Sequence, residues 1–160
     1  MTDMLVKLYA LPPLQPVIDD QAQRGIILRR ALPPEKHIVT AWVDKHFSKY
    51  WVIETEIAFT RQPVSCFLAV EDGVLIGFGC YETSHRGFFG PTGVAEALRG
   101  RGTGKALLLA CLHDMRAQGY GYAIIGWAGP VEFYQKAVGA IVIEDSRPGV
   151  YEGLLRVKKN

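Results

Sequence analysis

Short apolar runs separated by turn-forming clusters mark out most of this chain. Residues 25–31 read as a strand, with Ile26, Ile27 and Leu28 in succession. A helix opens around Pro33 and Pro34, where proline is tolerated in the first turn. Val39, Trp42, Val43 and Phe47 then recur at helical spacing. A second helical segment covers 50–60. Residues 65–70 and 74–81 are apolar strands joined through Asp72-Gly73, a hairpin turn signal. Residues 87–94 form a glycine-interrupted third strand that leads into the loop at 99–104. The helix after that loop runs to about 118. Residues 122–128 are almost continuously apolar, which predicts a central, buried strand. A short helix at 132–136 and strands at 140–144 and 151–157 complete the reading. Before all of these, residues 4–11 are apolar and lead into a proline-stiffened connector at 11–16. That first segment is expected as an extra edge strand or as an arm packed on a partner subunit. Meandering strands followed by a strand–helix–strand crossover predict an α/β sandwich around a mixed sheet.

Composition narrows the picture. A length of 160 residues, 49% of them hydrophobic, suits one domain with a sizeable core. Eighteen basic against sixteen acidic residues leave a net charge of +2. That balance argues against nucleic acid or an anionic membrane as the main partner. Cys66, Cys80 and Cys111 are scattered, with no metal-ligand spacing, so no metal is expected and a reducing compartment is. Asp3 interrupts the N-terminus, which does not read as a signal peptide, and no window reaches the roughly 20 apolar residues of a membrane span. A cytoplasmic protein is expected.

The densest chemistry lies at 99–105, Arg-Gly-Arg-Gly-Thr-Gly-Lys, with an apolar helical run directly behind it. Glycines allow the backbone to approach a ligand closely. A helix beginning there offers unpaired N–H groups and the positive end of its dipole. Arg99, Arg101 and Lys105 add full charges. The combination predicts a phosphate or pyrophosphate site. It is not a Walker A loop, because Ala106 follows Lys105. It is not a dinucleotide fingerprint, because Gly100, Gly102 and Gly104 are spaced by two and the next strand has no acid.

Arg99-x-x-Gly102-x-Gly104 resembles the Arg/Gln-x-x-Gly-x-Gly/Ala signature of the GCN5-related N-acetyltransferases (GNAT). Its surroundings are similar too: a strand with Val94 before it, a strand ending at Trp127 after the helix, and Phe133-Tyr134-x-Lys136-x-x-Gly139 beyond. The resemblance covers residues 25 to the C-terminus as a single N-acetyltransferase domain, and leaves 1–24 outside as an arm or extra strand. It implies a mixed, mostly antiparallel sheet flanked by helices, with a splayed strand pair that binds CoA.

The resemblance also implies a chemistry. Acetyl-CoA is the expected donor, with its pyrophosphate on the backbone N–H groups of Gly100, Gly102, Thr103, Gly104 and Lys105. Arg99 and Arg101 pair with phosphate oxygens, although Arg101 is equally readable as a solvated side chain. Val94 is placed near the thioester, where its N–H stabilises an oxyanion. Tyr134 stands where many members keep a tyrosine that protonates the CoA sulfur. No motif identifies the general base. Glu54 and Glu82 are the leading candidates, with Glu56, His85 and Glu96 behind them. Glu54 and Glu56, close to Trp51, are suited to holding a cationic amine beside an aromatic ring. Trp127 replaces a polar residue common in the family and points to a more apolar cleft, to which Trp51 and Tyr151 would add. Trp42 reads as core. The expected activity is transfer of an acetyl group to a primary amine of unknown identity. A non-catalytic acyl-CoA-binding module is the alternative. Acceptor specificity is expected in 34–60 and 145–150. The N-terminal segment and the last strand suggest a homodimer.

Overall fold

The computed structural model describes residues 1–159. In chain order the elements are β1 (Thr2–Lys7), α1 (Gln15–Gln23), β2 (Ile26–Arg30), α2 (Lys36–His46), α3 (Lys49–Ala58), β3 (Cys66–Glu71) and β4 (Val74–Tyr81). Then come β5 (Phe88–Val94), α4 (Thr103–Ala117), β6 (Tyr122–Ala128), α5 (Val131–Val138) and β7 (Ile141–Val142). They build one seven-stranded sheet in the order β2-β3-β4-β5-β6-β1-β7. Every neighbouring pair is antiparallel except β5 and β6, which are parallel. This is the mixed, mostly antiparallel α/β sandwich that the apolar runs predict. Asp72 and Gly73 close the β3–β4 hairpin with φ of +50° and +74°, the backbone of a type I′ turn.

Helices cover both faces. On one, Val39 and Val43 of α2 and Ala58 of α3 pack on Leu68 and Phe78. On the other, α4 packs across β3, β4 and β5, and α5 joins the same apolar cluster. Residues 106–112 of α4 are buried without a break. A helix that is apolar all round must be covered on both sides. The sheet covers one side, and the N-terminal segment covers the other, where Leu8, Leu11, Leu14 and Val17 join the same apolar cluster. The His113 ring nitrogen donates to the Pro12 carbonyl at 2.7 Å and closes this strap.

Residues 1–24 supply an extra strand, as expected, but not at the edge of the sheet. β1 lies inside the sheet, pairing with β6 from Thr2–Ala128 to Lys7–Tyr122 and with β7 on its other side. Part of the expected connector belongs to α1, with Pro16 in its first turn. The last expected strand, 151–157, is not formed. Residues 149–151 make a 3-10 turn, and the chain beyond Gly153 (φ +77°) runs without regular structure. Among the described residues no helix is long and apolar enough to cross a membrane.

Candidate active site

β5 and β6 begin as a parallel pair at Phe88–Ile124 and Phe89–Ile125, and then part. Gly90 and Pro91 follow at once, and proline brings no N–H to a ladder. The opening leads into a cleft of about 1370 Å³. Val94 at the end of β5 is 7% exposed and lines it. Ala95 N–H donates to the Ile76 carbonyl at 2.9 Å, so the neighbouring Gly77–Val94 pair is of the non-hydrogen-bonded type. The N–H and C=O of Val94 consequently point away from β4, toward the strand that has left. Arg99 Nε takes the carbonyl at 3.1 Å. The N–H remains for a ligand.

Gly102 caps α4 in the left-handed region with φ +79°, and Gly100 has φ +84°. Both conformations favour glycine. Ala106 N–H makes the first helical bond, to the Gly102 carbonyl. The N–H groups of Thr103, Gly104 and Lys105 thus have no intrahelical acceptor. Gly100, Gly102, Thr103, Gly104 and Lys105 all line the cleft, as does Arg99. A Cβ placed on Gly100 would meet nothing within 4 Å. The loop is an open cradle with a positive end, and it fits a pyrophosphate.

Arg101 is the exception in this loop. Its guanidinium pairs with both carboxylate oxygens of Glu71, at 2.8 and 3.5 Å, and is turned away from the cleft. A second tie comes from α1. Gln21, 1% exposed, donates through Nε2 to the Arg101 carbonyl at 2.9 Å and accepts from the Thr103 hydroxyl at 2.8 Å. The cradle is held from below by Gln21 and Glu71, neither of which lines the cleft.

Tyr134, on α5, lines the cleft and is 7% exposed. Burial pushes its phenol up to about 12, so it stays protonated through the neutral range. Glu54, on α3, also lines the cleft. Burial raises its carboxyl above the ordinary carboxylate range, and the Tyr151 hydroxyl, 3.5 Å away, opposes that rise. Glu82 is placed elsewhere. It is buried against the β4–β5 turn, accepts from Gly87 N–H and accepts from the Tyr120 hydroxyl at 2.9 Å. Its two oxygens are occupied by the fold, and it does not reach the cleft. Glu56 and Glu96 are exposed and also lie off it. His85 packs on Phe88 and edge-on to Tyr151.

Trp51, Trp127 and Tyr151 line the cleft, whereas Trp42 packs with Phe47 and Phe78. Trp127 has φ +45°, rare for a bulky residue. The Asp3 carboxylate holds that backbone by accepting Trp127 N–H at 2.9 Å. The indole N–H donates to the Pro148 carbonyl, and the ring lies 4.5 Å from that of Tyr151. Asp3 and Gln21 escape a reading of the sequence. The available signals were a carboxylate in an apolar strand and an apolar helix in need of a second cover.

Comparison with known proteins places this geometry. The model of the acetyltransferase (GNAT) family matches residues 27–140, well over half of the chain. No curated protein matches. Among solved structures, the chain is similar to a GCN5-related glucosamine N-acetyltransferase region of a fungal multi-domain GH3 β-N-acetylglucosaminidase (16% identity, TM-score 0.72, 89% of this chain and 19% of that one). It is similar to a GCN5-related N-acetyltransferase from Sphaerobacter thermophilus (24% identity, TM-score 0.67, 89% and 48%). It is also similar to a GNAT family acetyltransferase from Brucella melitensis in complex with acetyl-CoA (18% identity, TM-score 0.54, 74% and 86%). The chain thus spans about a fifth and about half of the first two structures, and most of the third. A family match over most of the length, on a sheet that parts at the expected strand, means that the chain belongs to the GNAT acetyltransferase family.

Proposed function

We propose that the protein is an acetyl-CoA-dependent N-acetyltransferase that acetylates a primary amine by direct attack on the thioester. The observation that carries this reading is the Val94 N–H. It faces a gap in the sheet that also contains the open N-terminus of α4 and the Tyr134 ring. The cleft, at about 1370 Å³, exceeds the ~300–1,000 Å³ usual for one small ligand and has room for donor and acceptor together. The family relation supports acetyl-CoA as the donor.

Acetyl-CoA supplies an acetyl group on a thioester. The α4 N-terminus, with Arg99 and Lys105, binds its pyrophosphate. Val94 N–H donates to the carbonyl oxygen on which charge builds. As the C–N bond forms and the C–S bond breaks, Tyr134 gives its proton to the departing sulfur and regains one afterwards. An ammonium acceptor sheds two protons in all. One balances the thiol and one is released.

The test is thiol release from acetyl-CoA across a panel of primary amines. Release that depends on the amine is expected, and Tyr134→Phe lowers kcat by roughly 10²–10³-fold with an unchanged Kd for acetyl-CoA. An unaltered kcat removes Tyr134 as the proton donor. Acetyl-CoA binding with no release by any amine favours a non-catalytic acyl-CoA-binding module.

A further inference from the structure

We infer that the acceptor is an aromatic primary monoamine whose ammonium group is held by Glu54. The inference rests on the acetyltransferase reading above and concerns the other half of the same cleft. Among the described residues that line the cleft, Glu54 is the only carboxylate. The four cationic side chains on the lining are Arg99 and Lys105 at the α4 N-terminus, and Arg147 and Arg156 in the C-terminal segment. A free primary amine is an ammonium at neutral pH, and in an apolar cleft it needs a carboxylate partner. One such group has a partner here. A second would find none and would meet Arg147 or Arg156. Polyamines and lysine-rich peptides are disfavoured by that arrangement.

The rest of the acceptor meets rings. Tyr50 and Trp51 precede Glu54 by four and three residues and share its helix face. Tyr151 reaches Glu54 from the C-terminal turn, and Trp127 lies against Tyr151. Phe88 and Phe133 line the same cleft. An ammonium beside these faces gains cation–π attraction, and an aromatic body buries its area against them. A sugar amine fits poorly. The Trp127 indole N–H is taken by the Pro148 carbonyl and the Thr92 hydroxyl by the Phe78 carbonyl, so neither is free to replace the water around its hydroxyls. Glu54 also accepts the proton that the ammonium must lose before the nitrogen attacks. That proton passes from Glu54 to solvent as the released H⁺, while the sulfur is protonated by Tyr134.

The experiment compares kcat/KM for 2-phenylethylamine, spermidine and glucosamine at saturating acetyl-CoA. Calorimetry of 2-phenylethylamine on the protein–CoA complex runs beside it. The expected result is a preference for 2-phenylethylamine of about 10–100-fold, the worth of one buried phenyl ring. Glu54→Gln should raise the KM for 2-phenylethylamine while leaving the Kd for acetyl-CoA intact. Trp51→Leu and Tyr151→Leu, each checked by thermal melting, should erode the preference. Faster turnover of spermidine or glucosamine overturns the inference and leaves the acetyltransferase reading standing. If no amine releases thiol, that reading fails instead, and calorimetry decides the inference. Binding of 2-phenylethylamine that Glu54→Gln weakens upholds it, and absent or Glu54-independent binding overturns it.

Discussion

Replacing Gln21 by leucine removes the side chain that joins α1 to the glycine-rich loop at 99–105. Gln21 is 1% exposed and its partner Thr103 is 2% exposed. Leucine keeps the bulk but leaves the Thr103 hydroxyl and the Arg101 carbonyl without the bonds they make at 2.8 and 2.9 Å. Each buried polar group stranded in this way costs about 1–3 kcal/mol. The hydroxyl can turn and the carbonyl sits next to the exposed Gly100 and Gly102, so a total near 2–4 kcal/mol is expected. At 2–4 °C per kcal/mol for a chain of this size, Tm falls by roughly 5–15 °C. The functional effect is separate. The loop loses its anchor on one side, and the Kd for acetyl-CoA should rise about tenfold, ~1.4 kcal/mol, with little change in kcat. Calorimetry gives the Kd and steady-state kinetics the split. Gln21→Leu with Thr103→Val should recover part of the stability, because an apolar pair replaces a broken polar one. Met4→Ala, a buried truncation in β1 away from the loop, is the control, at a similar cost of about 2–5 kcal/mol. The reasoning is wrong if Gln21→Leu binds acetyl-CoA as tightly as wild type, or if Met4→Ala weakens binding equally.

Three further outcomes follow from named contacts. Because burial raises the Glu54 carboxyl, the folded protein holds that proton to higher pH than the unfolded chain. Ionising it therefore lowers stability as pH rises from the ordinary carboxylate range through the folded value. Glu54→Gln should raise Tm at neutral pH and remove the acidic limb of the rate profile, and an unchanged profile would show that the limb belongs to another group. Gly93→Ala puts a Cβ 2.3 Å from the Phe47 ring tip; the ring is wedged against Trp51 and Phe78, so urea unfolding should report a loss of about 1–3 kcal/mol. Lys105→Gln should weaken acetyl-CoA about fivefold at low salt, near 1 kcal/mol, and the difference should shrink as salt is added.

Local chemistry explains what was legible. The β3–β4 hairpin is written in Asp72-Gly73, because few residues accept two successive positive φ values. The interior strand β6 is written in its near-continuous apolar run. The cradle is written in glycines and charge. Long-range pairing explains the rest. Arg101 and Arg99 look alike in sequence, and only the position of Glu71 thirty residues earlier separates a structural arginine from one that lines the cleft. Glu82 looks as free as Glu54, but a turn five residues on captures it. Residues 151–157 have strand-like composition, yet β7 is two residues long and Gly153 turns the chain along the cleft. β1 hides its place entirely. Its short apolar run fits an edge as well as an interior, and only the all-round apolar surface of α4 hints that the N-terminus is needed.

The position of β1 bears on how the chain folds. Its partner β6 lies more than a hundred residues downstream, so the strands cannot be added in the order in which they are made. Hairpins β3–β4 and β4–β5 join near neighbours and can form early. Until β1 threads back, β6 presents an open edge and α4 an uncovered flank, a sticky intermediate. Contacts so distant in sequence slow the search. Refolding should show a late phase in which the sheet closes around its first strand, and that same step brings α1, with Gln21, up to the glycine-rich loop at 99–105.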